Sequence, residues 1–227
     1  PSMGKPSMGK PSMGKPTSPK KNLELHMVYT NWCGHSKRAM PDFDKVANEI
    51  DGSTMGNHNV SVVKHDADTA EGKAFAKEHG VRLTSHPGPF NVLTSPHPHV
   101  VDNCIGDLTD HGSVFDMMEL SRTPYNKINI HCNGVYGDKE SAMDRFCKNF
   151  ERLPENVQTR LVVENDDKAS MYSVKDLYEG IHKRIGIPIT FDYHHFKFNT
   201  GGQTEQEALE LALSTWGDIK PVVHYSE

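Results

Sequence analysis

The chain has 227 residues, 35% of them hydrophobic, and a formal net charge of −5. That length allows one α/β barrel of modest size or two smaller domains. The mild acidity excludes a surface that coats nucleic acid generally, but a local basic groove depends on placement and not on the sum. No apolar run is long enough to cross a bilayer, and no signal peptide is visible. The four cysteines, Cys33, Cys104, Cys132 and Cys147, form no CxxC pair. An intracellular protein with reduced thiols, neither secreted nor membrane-bound, is expected. The chain begins with Pro1 and is expected to be a fragment or a processed product.

Residues 1–20 hold three copies of Pro-Ser-Met-Gly-Lys and a degenerate fourth. Pro and Gly in every copy oppose helix and strand, so residues 1–22 read as a disordered cationic linker.

From Leu23 the texture changes. Leu23–Thr30 is expected to be a buried strand. Lys37–Ile50 carries Met40, Phe43, Val46, Ala47 and Ile50 at helical spacing, with Pro41 as a kink. Val60–Lys64 is a second strand, and Ala70–His79 a second helix stopped by Gly80. Between the first strand and helix stands Trp32-Cys33-Gly34-His35-Ser36. Residues 23–82 thus resemble the first half of a thioredoxin, a βαβα segment, with Ser36 in place of the resolving cysteine. A thiol at a helix N-terminus is acidic and nucleophilic, which makes Cys33 a candidate redox residue for a thiol partner. Full dithiol cycling needs a second thiol.

The remainder alternates strand and helix. Strand-like runs fall at Val81–Ser85, Lys127–Ile130, Arg160–Val163, Pro188–Phe191 and Pro221–Val223. Val100–Leu120 and Lys139–Leu153 have apolar helical faces, and Ser173-x-x-Asp176 and Thr204-x-x-Glu207 are capping boxes that open two more helices. This order predicts a parallel sheet with right-handed crossovers, open or closed into a barrel. The five strands are followed by His86, His131, Glu164, Asp192 and His224, and His195 lies three residues beyond Asp192. In a βα barrel the carboxyl ends of the strands converge on one face. Histidine and carboxylate together suit Mn, Fe or Zn, and Glu164 has two oxygens to share between two ions. Such a site could activate water against a phosphate, and paired-metal sugar isomerisation would use a similar set.

Several ordered segments carry a resemblance. His86-Pro87-Gly88-Pro89-Phe90-Asn91-Val92-Leu93, Ile128-Asn129-Ile130-His131 with Gly134-Val135-Tyr136-Gly137-Asp138-Lys139, Val163-Glu164-Asn165-Asp166-Asp167, Phe191-Asp192-Tyr193-His194-His195 and Val223-His224-Tyr225-Ser226 resemble UV-damage endonucleases, nearly continuously over residues 83–227. The resemblance implies a TIM-like (β/α) barrel related to endonuclease IV, here incomplete and preceded by the thioredoxin-like segment. It implies divalent ions, Mn first with Zn or Mg as alternatives. It also implies hydrolysis of double-stranded damaged DNA 5′ to a UV photoproduct. His86, His131, Glu164, Asp192, His195 and His224 fall on the family's ligand positions, with Glu164, His131 and Asp192 closest to the chemistry. Pro89, Phe90 and Asn91 fall on its DNA-reading loop, where Pro89 replaces the usual Gln. The lysine that the family often carries two residues before His224 is Val222 here. A second reading is a catalytically impaired barrel whose thiol, Cys33, acts in redox or protein binding.

Overall fold

The structure, a computed structural model, describes residues 21–29, 34–55, 58–67 and 69–225. The repeat linker at 1–20 and Cys33 lie outside the described residues.

The larger unit is a barrel arc. Its parallel sheet takes the order β4 (Ile128–His131), β5 (Leu161–Glu164), β6 (Ile189–Asp192), β7 (Val223–His224). One parallel bridge, Ser85 to Ile128, adds a short stave on the far side of β4. The predicted strand at 81–85 therefore shrinks to a single pairing, with Ser85 N–H donating to Lys127 O and Asn129 N–H to Ser85 O. β5 and β6 are buried along their whole length, as expected of strands covered on both faces. Register sets His131 level with Glu164, and Asp192 level with His224. These side chains therefore leave the sheet at one end.

The helices lie between the strands. α3 (Pro98–Met117) precedes β4, and α4 (Lys139–Phe150) and the short α5 (Glu155–Gln158) join β4 to β5. Asp138 caps α4 by accepting from the N–H groups of Glu140 and Ser141. Both predicted capping boxes form, Ser173 with Asp176 at α6 (Val174–Leu177) and Thr204 with Glu207 at α9 (Glu205–Ser214). α6 runs on through a π-helical turn at 178–182 into α7 (Lys183–Ile185), and Gly186 ends it at φ +74°, a left-handed geometry that glycine adopts without penalty. α8 (Tyr193–Phe198) starts directly from Asp192. Leu108, Phe115, Ile130, Phe146, Leu161, Leu177 and Phe191 belong to the core between helices and sheet.

The N-terminal segment is the expected βαβα. β1 (Lys21–Tyr29) runs parallel to β3 (His58–Asp66), α1 (Gly34–Ile50) lies between them in sequence, and α2 (Ala70–Glu78) follows. A two-residue β2 (Thr54–Met55) adds an antiparallel edge. β1 is not buried as expected, since Leu23 is 50% exposed and Leu25 39%. It is an edge strand, paired with β3 alone among the described residues. This segment is tied to the arc by Lys73 Nζ on Met117 O at 3.2 Å and Tyr125 OH on Gly80 O at 3.3 Å.

Candidate metal centre

Glu164 is the hub. It ends β5, it is 1% exposed, and its two oxygens face different partners. Oε2 lies 3.0 Å from His86 Nε2 and 3.7 Å from His131 Nε2, and it accepts a short hydrogen bond from Asn129 Nδ2. Oε1 lies 2.9 Å from His224 Nδ1 and 3.8 Å from His195 Nδ1. His86, His131 and Glu164 bring one ligand atom each within 4.8 Å of one another, and so do Glu164, Asp192 and His195. The other five sequence-derived ligand positions therefore gather around Glu164.

Each partner is held by a second contact. Asp192 caps α8 by accepting from His195 N–H at 2.8 Å, which swings His195 back over the strand ends. His195 Nδ1 lies 2.8 Å from the Asn165 carbonyl. Because a carbonyl can only accept, Nδ1 carries a hydrogen in this contact. Asn165 also locks β6, donating through Nδ2 to Asp192 O and accepting from Asp192 N–H. His131 Nδ1 lies 3.1 Å from Asp166 Oδ1.

Beneath Glu164 sits a buried polar layer that the strand-end pattern did not reveal. Lys127 Nζ lies 3.0 Å from Asn129 Oδ1, 3.4 Å from Thr190 Oγ1 and 2.9 Å from His224 Nε2. As an ammonium it has one hydrogen for each. The available signal was the period of two along β4, which puts Lys127, Asn129 and His131 on the same face.

Charge follows from this packing. Burial alone would raise the Glu164 carboxyl, but hydrogen bonds from His224 and His86 and the nearby imidazole charge hold it well below its ordinary range. Burial pulls His131 down, yet Asp166 and Glu164 prevail and its imidazolium is favoured. Burial pushes Lys127 down to about 7, against the opposing pull of Glu164. A buried anion ringed by imidazoles is a ready receptor for cations once those rings give up their protons. Nitrogen and oxygen donors in this mixture suit a divalent ion. One carboxylate with imidazoles on both oxygens fits a ligand shared between two ions.

The loop after His86 divides its residues. Pro89 and Phe90 are exposed, Phe90 at 86%, whereas Asn91 is buried. Asn91 Nδ2 donates to Gly88 O at 3.2 Å and Asp107 Oδ2 at 2.7 Å, so this side chain shapes the loop. Cys104, Cys132 and Cys147 are buried and unbridged, and burial raises all three thiols, Cys104 to about 12.

A protein-family model described as UV-endonuclease UvdE matches residues 54–227. The chain belongs to the UvdE family. The match takes in β3 and α2 as well as the arc. A UV DNA damage endonuclease of Bacillus cereus (strain G9842) is 38% identical over 155 residues, 67% of this chain and 47% of that protein. The crystal structure of SacUVDE superposes with TM-score 0.63 at 38% identity, covering 69% of this chain and 52% of that one. This UvdE-family chain therefore spans about half the length of the relatives it matches. A D-psicose 3-epimerase from Clostridium cellulolyticum H10 is 13% identical with TM-score 0.50, and the alignment covers 90% of this chain and 63% of that one. That likeness extends the TIM-like fold into the N-terminal segment.

Among the described residues, no helix is long and apolar enough to cross a membrane.

Proposed function

We propose that this chain carries the metal-holding part of a DNA repair endonuclease that hydrolyses the backbone of double-stranded DNA 5′ to UV photoproducts. The observation that carries this reading is Glu164, a buried carboxylate with His86 on one oxygen and His224 on the other, at 3.0 and 2.9 Å. His86, His131 and Glu164 would hold one divalent ion, and Glu164, Asp192 and His195 a second, with His224 beside Glu164 Oε1. Mn is the first choice for this donor set, with Zn or Mg as alternatives. When bound, a divalent ion supplies Lewis-acid chemistry, neutralising phosphate charge and making water more acidic.

The protein's own part is positioning. The Asn165 carbonyl fixes the orientation of the His195 ring, and the Asn129 amide fixes the rotamer of Glu164. Lys127 anchors His224 from below and balances the buried carboxylate. Phe90 stands clear of the surface in the loop after His86, where an aromatic face can stack on a base that has left the helix. Pro89 lacks the side-chain amide that would read such a base by hydrogen bonding.

The test is nicking of a UV-irradiated duplex by the full chain supplied with Mn. Nicks 5′ to photoproducts, lost on chelation and absent from unirradiated duplex, are expected. A chain that binds no metal by elemental analysis and makes no nicks overturns the reading. Phe90→Ala should leave the unfolding midpoint unchanged, because the ring is exposed. It should lower the preference for irradiated over unirradiated duplex by about tenfold, in line with the loss of one base–aromatic stack.

A further inference from the structure

Between β4 and α4 the chain holds a tyrosine in a backbone conformation that tyrosine does not favour. Tyr136 sits at φ +52°, and two neighbours in the same loop, Asn133 at +58° and Gly137 at +83°, share that left-handed region. Asparagine and glycine adopt it readily, whereas a bulky residue there is strained. Either of them in place of Tyr136 would make the same turn at lower cost. Burial does not offset the strain, since Tyr136 stays 46% exposed. The ring is nevertheless held in one place. A Cβ on Gly134 would lie 2.5 Å from Tyr136 Cε2, so the ring rests directly over a glycine. The Arg145 guanidinium stands 5.7 Å from the ring centre, and His97 meets the ring edge-on at 6.4 Å. The loop itself is anchored by the buried Tyr172, whose hydroxyl donates to Gly134 O at 3.3 Å.

This loop leaves β4 directly after His131, so it lies on the face where His131 and Glu164 meet. Asn133 Nδ2 donates to His131 O and to Asn91 O, each at 3.3 Å, which ties the loop to the one that carries Phe90. Two exposed aromatic rings thus stand on two joined loops of one face. Strained residues cluster at ligand clamps, where their surroundings hold them. A fixed aromatic ring loses little freedom when a base stacks on it. We infer that Tyr136 is a second base-stacking residue of this face, acting with Phe90 on unpaired bases of damaged DNA. The inference rests on the endonuclease reading above and deepens it. Extruding a base costs least where it is already damaged or mispaired, so a photoproduct offers base faces that an intact duplex keeps closed.

The experiment compares the full chain with Tyr136→Asn and Tyr136→Phe. Fluorescein-labelled duplex, irradiated or not, is followed by anisotropy from about 50 to 200 mM salt, with Mn affinity by calorimetry and stability by urea unfolding. Tyr136→Asn is expected to bind the irradiated duplex about tenfold more weakly, as for the loss of one base–aromatic stack, and the unirradiated duplex as the wild type does. Its salt slope and Mn affinity should be unchanged, because no phosphate contact is removed. Its unfolding midpoint should be unchanged or higher, because asparagine tolerates the left-handed backbone. Tyr136→Phe should keep wild-type binding, because it keeps the ring. Joined to Phe90→Ala, the asparagine change should multiply the loss, as for two separate stacks. An asparagine variant that binds the irradiated duplex normally, with wild-type binding and nicking intact, overturns the inference alone. A fall in its unfolding midpoint or Mn affinity alongside the binding also overturns it, because the ring would then be holding the loop. So does a phenylalanine variant as weak as the asparagine one, because stacking is then not what matters. A wild-type chain that binds no irradiated duplex overturns the endonuclease reading and this inference together.

Discussion

Two buried charges stand at opposite ends of β5, four residues apart, and they are satisfied in different ways. Arg160, just before the strand, is 0% exposed, and the protein itself accepts its N–H groups. Nε donates to Ser121 O, Nη2 to Leu120 O, and Nη1 to Asp116 Oδ1, Gly112 O and Asn156 O, at 2.6 to 3.4 Å. Backbone carbonyls and one carboxylate are fixed partners that do not exchange with a ligand. Glu164, at the other end, is held mainly by imidazoles, which can turn their lone pairs to a metal. A buried charge closed off by backbone is structure, whereas the one surrounded by imidazoles is where the proposed metal site lies. This matches the division of labour expected between the two faces of a βα barrel.

The largest effect should come from the upper charge. Glu164→Gln keeps the shape but removes the anion that two sets of donors share. Metal affinity and Mn-dependent nicking should each fall by more than about 100-fold, since even losing a group behind a ligand costs 10- to 100-fold. Calorimetric Mn titration and a nicking assay check this. A variant that binds Mn normally would show that Glu164 is packing and break the contrast with Arg160.

The lower charge should behave in the opposite way. Arg160→Ala takes one partner from Asp116 and one donor from each of four backbone carbonyls. Leaving hydrogen-bond acceptors without their donor costs about 1–3 kcal/mol, a large part of an ordinary domain's stability. Urea unfolding should show that loss, while the fraction still folded should bind Mn as the wild type does. A stable variant with weakened metal binding would mean that the two ends of β5 are coupled.

How much could be read from residues alone depended on whether the signal was local. The capping boxes at Ser173 and Thr204 formed because a capping box lies within four consecutive residues. His131, Glu164, Asp192 and His224 were legible because each follows an apolar run at a strand end. Lys127 and Asn129 were hidden inside such a run, and seeing them required following one face of β4 inward. The exposure of Leu23 and Leu25 was not legible, because an apolar strand says nothing of what covers it. The stave at Ser85 amounts to one bridge for a similar reason, since strand pairing is decided by neighbours distant in the chain.

The smallest predicted effect separates the buried and exposed arms of the Arg160 cluster. Asp116 accepts from Arg122 Nη2 at 2.7 Å and Nε at 3.1 Å, from Arg160 Nη1 at 2.8 Å and from Asn156 Nδ2 at 3.0 Å. The Arg122 hydrogen bonds, helped by Arg160 and opposed by partial burial, hold its carboxyl at about 2, below the ordinary 3.8. A carboxyl that is more acidic when folded stabilises the fold fully above its unfolded value, and that contribution disappears as pH falls through the folded value. The unfolding midpoint of the metal-free chain should therefore drop as pH goes from 3.8 towards about 2. Asp116→Asn should flatten part of that drop, and Glu164, shifted in the same direction, should account for another part. Arg122 is half exposed and screened by solvent, whereas Arg160 is enclosed. Arg122→Ala should then lower the midpoint far less than Arg160→Ala, and by less still at high salt. Equal losses would mean that the carboxylate, and not the enclosure of Arg160, holds the lower end of the barrel together.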